Sequence, residues 1–154
     1  MLRKLIATPD DYAIFIVRVV LGAVMFPHGA QKALGWFGGY GFNATIHHLP
    51  GGPVVGTLVV LAEFVGSIGL VLGFLGRVGA FGIIAVMLGA IALVHSHNGF
   101  FMNWSGRALN GRAAGEGYEY HLLVLGMAMA VLVRGSGALS VDRLLAGGRR
   151  RRVA

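Results

Sequence analysis

Polar positions are scarce along this chain, and where they fall divides it into four apolar runs. The first covers residues 12–34, with Arg18 its only charge before Lys32. The second covers 53–76, and Glu63 is its only charge. The third, 78–97, has no charged side chain and closes on His95 and His97. The fourth is the shortest. A bilayer span takes about 17–25 residues, so this run becomes long enough only as 118–134, which carries Glu119 and His121 into the helix. A re-entrant or interfacial element is the alternative for that segment. The expected fold is all-α: one transmembrane domain built as a four-helix bundle.

Composition supports lipid as the solvent. Of 154 residues, 56% are hydrophobic and only 12% charged, with a mean hydropathy of +0.74. Soluble domains carry about twice that charged fraction, roughly 25%. The chain has no cysteine. Disulfides, thiolate metal sites, iron–sulfur ligation and cysteine nucleophiles are thereby excluded, and redox chemistry must use a bound cofactor or another subunit. The basic start Met1–Lys4 is interrupted by Thr8, Pro9, Asp10 and Asp11, with no small-residue cleavage pattern behind it, so the first run is expected to be retained.

The net charge of +7 is gathered near the chain ends, at Arg3, Lys4, Arg143 and the run Arg149–Arg152. A basic tail over 143–154 suits an anionic cytoplasmic leaflet rather than nucleic acid. With both termini inside, nine basic residues lie on the cytoplasmic side (Arg3, Lys4, Arg77, Arg134, Arg143 and Arg149–Arg152). Three lie outside: Lys32, Arg107 and Arg112. This asymmetry predicts an N-in, C-in multi-pass protein of the bacterial inner membrane and requires an even number of spans. The linker at Gly76–Arg77 reads as a tight inner turn, whereas the outer loops, about 35–52 and 98–117, are long enough to build a site. The 26 glycines include a GxxxG pair, Gly69 and Gly73, and a three-residue repeat, Gly76, Gly79 and Gly82. Close packing within the bundle is the expected use, although oligomerisation is open.

Charges at bilayer depth are costly, so they face the bundle interior or a wet cavity. On helix one, His28 lies about 80° and Lys32 about 40° from Arg18 at ~100° per residue, which puts the three on one face. Pro27 leaves the carbonyl of Ala23 without its helical donor, beside His28. Lys32 either joins a pocket or snorkels to the outer interface. Glu63 either stays neutral or forms a buried polar pair with Arg18. His95 and His97 point about 200° apart, as do Glu119 and His121, so only one of each pair faces inward.

A pocket is therefore expected at the outer end, lined by His28, Lys32, His95 and Glu119. His47 and His48 lie in the loop above. Phe37, Phe100 and Trp104, with Trp36 and Phe101, offer either a stacking wall for a quinone head group or an ordinary interfacial belt. The histidines invite a metal, but no HxxxH or HExxH spacing is present and no metal is assigned.

In order along the chain, RVVLG (18–22), HGAQKALGWFGG (28–39), Glu63, LGFLGR (72–77), VHSHNGFF (94–101), GYEY (117–120) and GSGALSVD (135–142) resemble the DoxX family of small four-helix bacterial membrane proteins. The resemblance implies a subunit of a quinone-linked oxidoreductase system handling sulfur compounds or oxidative stress. Its motif falls on Arg18, His28, Lys32, Glu63, His95 and Glu119. On that reading His28, His95 and Glu119 are catalytic, and Lys32, Phe37, Phe100 and Trp104 bind a quinone. His97 and His121 stand where similar sequences often have proline. Two other readings stay open: a non-enzymatic anchor or assembly factor recruiting soluble partners, and a small transporter or metal-handling protein. The two halves show no internal repeat, which counts against a secondary transporter.

Overall fold

The computed structural model describes residues 2–109 and 112–147. The arginine run at 149–152, and the side chain of Arg112, lie outside the described residues. The described chain is helical except for its loops and a two-residue antiparallel ladder, Ala108–Leu109 with Arg112–Ala113.

A short helix, α1 (Leu2–Ile6), precedes the first long one, α2 (Tyr12–Leu34). Asp11 starts α2: its Oδ1 accepts from the amides of Ala13 and Ile14 at 3.0 and 3.2 Å, two of the donors that a helix start leaves without partners. Gly35, at φ 74°, ends it in the left-handed conformation a side chain disfavours. The helix runs unbroken through Pro27. After a 3₁₀ turn at Trp36–Gly38, the loop folds into α3 (Gly41–His48).

The second long helix, Gly52–Leu72, is composite. It consists of α4 (Gly52–Val60), a π-helical turn at Leu61–Val65, and α5 (Gly66–Leu72). The third, Gly76–Asn98, repeats the device with α6 (Gly76–Ala90), a π turn at Ile91–His95 and a 3₁₀ turn at Ser96–Asn98. Last come α7 (Glu119–Arg134) and the short α8 (Val141–Leu145). Three helices, Tyr12–Leu34, Gly52–Leu72 and Gly76–Asn98, are long and apolar enough to cross a membrane. With 16 residues, α7 is shorter, about 24 Å at 1.5 Å per residue against a hydrocarbon core of about 30 Å.

The junction between the second and third helices falls earlier than expected. The second ends at Leu72 rather than 76, because Gly73 (φ 69°) and Leu75 (φ 50°) turn the chain left-handed. Gly73 is thus a helix cap, and Gly69–Gly73 is not a helix-packing stripe.

Small residues set the packing. Along the antiparallel pair α2 and Gly52–Leu72, Gly22 lies against Ser67 and Val71, and Gly29 against Glu63. The second and third helices touch where Gly66 meets Gly79 and Ala62 meets Gly82. From there they diverge, so α5 packs on α6 while α4 leaves it. The fourth helix, α7, lies along α6 and α2. Leu21, Met25, Leu70, Ile83, Val124 and Val131 form the heart of the core. The outer faces are apolar, with Ile16, Leu58, Phe81, Leu123 and Val133 all exposed. Such a surface has lipid, not water, as its natural contact.

The end holding both termini is locked by polar groups. Arg18, fully buried, donates from Nε to Ser136 O (2.7 Å) and from its guanidinium nitrogens to the carbonyls of Leu70 (2.5 Å), Val71 (2.7 Å), Ala138 (3.4 Å) and Leu139 (3.2 Å). It thereby satisfies the orphan carbonyls at the end of α5. Asp142 does the converse for α6, accepting from the amides of Leu75 (2.8 Å) and Gly76 (3.0 Å). Ser136 joins the two by donating its hydroxyl to Asp142 Oδ2 at 2.5 Å. Arg77 adds a second tie, donating to the carbonyl of Leu132 at 3.0 Å and that of Leu5 at 3.1 Å.

Candidate functional site

Divergence of the second and third helices opens a cleft of about 1020 Å³ between them. Most of its length is apolar. Seven residues that can hydrogen-bond through their side chains line it: His28, Lys32, Glu63, His95, Glu116, Tyr120 and His121. They come from α2, both composite helices, the outer loop and α7.

Glu63 is buried and sits inside the first π turn. Its partner is Lys32, whose Nζ lies 2.5 Å from Glu63 Oε2. The expected Arg18–Glu63 pair does not form. The antiparallel register explains why: Gly29 lies level with Glu63 and Gly22 with residues 67–71. Arg18 is therefore level with the turn at Gly73, some ten residues or about 15 Å from Glu63. Lys32, less than one turn beyond Gly29, reaches back instead. Its ammonium is paired, so it does not merely snorkel.

The second π turn ends at His95, and a π turn inserts one residue into the helical repeat, re-aiming the side chains that follow it. His95 Nδ1 lies 2.8 Å from the carbonyl oxygen of Glu116. A carbonyl only accepts, so Nδ1 carries the proton, and in the neutral ring Nε2 is left as an acceptor. His121 packs beside it, with ring centroids 4.1 Å apart. His121 is buried, and its Nδ1 has no hydrogen-bond partner among the described residues. A buried polar atom in that condition is costly unless something else satisfies it. Tyr120 completes the cluster. Its ring is 6.0 Å from that of His28 and 5.7 Å from that of His121, and its hydroxyl donates to Met25 Sδ at 3.7 Å.

The structure thus brings together His28, Lys32 and His95 from the expected pocket, and it moves Glu63 into it. Glu119 is elsewhere. Its Oε1 accepts from Trp104 Nε1 at 3.0 Å, outside the cleft lining, where a carboxylate in the first turn of α7 also complements the helix dipole. His121 takes the inward place because α7 buries His121, Val124, Ala128 and Val131 on one stripe, and Glu119 lies about 200° from it. Of the other pair, His95 faces the cleft and His97 is exposed.

The expected aromatic wall also lies elsewhere. Phe37, Phe100 and Trp104 are exposed, at 65%, 45% and 78%, and none lines the cleft. Phe100 packs edge-on to Phe101 and Tyr118, in a loop held down by hydrogen bonds from Gly117 and Tyr118 to the carbonyls of Phe101 and Gly99. Ring surface at the cleft comes from Tyr120, Phe74 and Phe81 instead. His47 and His48 are exposed on α3. Among the described residues, no group of three or more His, Asp or Glu is arranged to hold a metal ion.

Sequence reasoning overlooked Tyr120 and left His121 without a role. The apolar period of α7 carries the signal for both, since 121 continues the stripe 124, 128, 131 by one turn. No residue pattern announces the π turns.

The DoxX family profile matches residues 13–96, which include Arg18, His28, Lys32, Glu63 and His95 but end before α7. No curated protein and no solved structure matches the chain.

Proposed function

The chain belongs to the DoxX family, a family of membrane proteins, and from that premise we propose that it is a quinone-reactive subunit of a membrane oxidoreductase system. The observation that carries the proposal is a lipid-facing cleft with a compact set of hydrogen-bonding groups at its outer part. The donor set fits a quinone head group on two counts. Among the described residues His121 Nδ1 is buried without a partner, and His28, Tyr120 and His95 lie around it with ring nitrogens and a hydroxyl. A quinone, when bound, supplies a two-electron, two-proton couple. The chain's own part is to orient carbonyl oxygens through His28 and His121, and to exchange protons through His28 and His95. His95 is held in one tautomer by the Glu116 carbonyl. With no cysteine here, electrons pass to or from a bound cofactor or a partner subunit.

The proposal includes the placement of the chain: four helices through the bacterial cytoplasmic membrane, both termini inside and the cleft's polar part toward the outside. Arg3, Lys4, Arg77, Arg134 and Arg143 lie with the termini, as an inner face favours. An impermeant thiol reagent tests this on intact cells: cysteine at exposed Tyr40 is labelled, and cysteine at exposed Leu144 is not. The reverse pattern overturns the orientation.

Binding tests the function. Purified protein titrated with a tail-free quinone analogue gives saturable binding that His28→Ala weakens at least tenfold, with helical content unchanged. Absence of binding by the wild type would favour the anchor reading instead.

A further inference from the structure

The polar cluster occupies only part of the cleft. Below Glu63 the cleft continues toward the inner turn as a groove along the line where the second and third helices meet. Its floor is made of small residues, Ala62, Gly66, Gly79 and Gly82, and Val65 and Phe81 flank it as exposed apolar walls. From Glu63 to the helix end at Leu72 the groove follows ten residues of chain, about 13 Å of helix rise. That length takes much of an extended hydrocarbon chain. Because its walls are outward-facing apolar side chains, the groove opens sideways to lipid.

Charge in the lining constrains the head group. Among the described residues, the only lysine or arginine there, Lys32, is already neutralised by Glu63 at 2.5 Å. The remaining charged residue is a carboxylate, Glu116, which accepts from the Asn103 amide at 2.5 Å. An anionic head group would meet no spare lysine or arginine and one carboxylate. An uncharged carbonyl or hydroxyl head would meet histidine and tyrosine groups able to bond it.

We infer that the site is loaded sideways from the bilayer by a single-chain lipid with an uncharged head, its chain lying in the groove between the second and third helices. This rests on the quinone reading above and specifies how the ligand enters and what selects it. A tail arriving from lipid gains no water-to-apolar transfer energy, because acyl chains are as apolar as the groove; its gain is close packing on the groove walls, read with ligand expressed as mole fraction in the detergent phase.

Gly66 provides the test. A Cβ there would lie in ordinary contact with Gly79, 3.6 Å at the nearest, so Gly66→Leu adds bulk one turn below Glu63 with no clash at its Cβ, and an unchanged melting temperature checks that the two helices keep their contact. Gly126, outside the cleft lining and with nothing within 4 Å of an added Cβ, gives a control variant, Gly126→Leu. The probes are a tail-free quinone, the same head with a long alkyl tail, and a fatty acid of matching chain length. In wild type the tailed quinone binds several-fold tighter than the tail-free one on that scale, and the fatty acid does not compete. Gly66→Leu removes the tail's advantage while tail-free binding stays within about twofold, and Gly126→Leu keeps both. Equal binding of tailed and tail-free quinone by wild type, or a Gly66→Leu protein that keeps the tail's advantage, would overturn the sideways loading and leave the quinone reading intact. Effective competition by the fatty acid would overturn the selection for an uncharged head. Failure of the tail-free quinone to bind wild type at all would sink the quinone reading itself.

Discussion

Lys32 and Glu63 form an ion pair across the first two long helices, and the carboxylate partner sits in a π-helical turn packed on Gly29. Glycine permits this approach: a Cβ at 29 would lie 2.6 Å from the Glu63 carbonyl. The lysine is 27% exposed and the glutamate 4%, so the pair is screened on one side only. Removing one partner leaves the other charge short of compensation in a poor solvent for it. In detergent, Lys32→Met and Glu63→Gln are each expected to destabilise, and the double variant is expected to be milder than their sum by about 1–3 kcal/mol. Arg18→Met combined with Glu63→Gln is expected to be additive. Unfolding measurements on these two cycles decide between the pairings. Coupling between Arg18 and Glu63, with none between Lys32 and Glu63, would refute the register described above.

Arg18 acts instead as a connector of chain ends. Its guanidinium meets five carbonyls from two segments that are far apart in sequence, 70–71 and 136–139. Lysine keeps the charge but is a single point of donation, so it cannot serve that planar fan of acceptors. Arg18→Lys is expected to cost about 2–4 kcal/mol, since several buried carbonyls lose a charged donor together. Ser136→Ala removes only the hydroxyl that bridges to Asp142 and is expected to cost less. Thermal unfolding in one detergent ranks the two. A benign Arg18→Lys would mean that charge alone matters there.

Much of this arrangement was legible in the order of residues, and the remainder depended on register. Apolar run lengths give three of the long helices, and the single charges at 18, 32 and 63 mark where polar contacts must lie. Which of them meet depends on how far one helix slides along another. That offset is set by glycines at 22 and 29 against residues 67–71 and 63, contacts that no single helix encodes. The choice between Glu119 and His121 was readable from the stripe at 124, 128 and 131, had the outer end been phased against the core rather than against the loop. The π turns at 61–65 and 91–95 were not readable, because a bond from residue i to i+5 leaves no compositional trace. Segment 135–142 stood out in the sequence only through family likeness. Its physical role, joining Arg18 to Asp142 through Ser136, appears once the chain returns beside the inner turn.

Asp11 lies outside the apolar stretch and carries the acid sensitivity of the end that holds α1 and α8. The Ile14 amide, opposed by partial desolvation and helped by the Arg134 guanidinium and the Ala13 amide, holds its carboxyl below the usual value of 3.8. A carboxyl depressed in the folded state stabilises it above the unfolded pKa, and that contribution is lost as pH falls through the folded pKa. The loss attributable to Asp11 therefore falls below pH 3.8. Asp11→Asn retains a capping oxygen but cannot titrate or pair with Arg134. It is expected to be less stable than wild type at neutral pH and to converge with it in strong acid. Melting temperatures measured across that range check the sign, and a gap that widens toward acid would contradict it.

At the start of α7, the geometry and the resemblance read from the sequence point to different residues, which makes a direct contest possible. The resemblance implies Glu119, but that carboxylate accepts from Trp104 and lies outside the cleft. His121 is buried against His95, with Nδ1 unsatisfied by any described group. If a ligand's oxygen atom completes His121, then His121→Phe preserves the ring's bulk, removes both nitrogens and costs one hydrogen bond in the complex. A hydrogen bond in such a setting is worth about 0.5–1.5 kcal/mol, up to about tenfold in affinity. Without ligand, the same change removes a buried polar atom that lacks a partner, so the protein itself is expected to become slightly more stable. Glu119→Gln is expected to leave quinone-analogue affinity within about twofold and to loosen only the Trp104 contact. Titration and melting of both variants read all four values. Weaker binding together with a higher melting temperature in His121→Phe is the combination that a merely structural histidine would not give. Tight binding retained there but lost in Glu119→Gln would move the site out of the cleft and onto the loop.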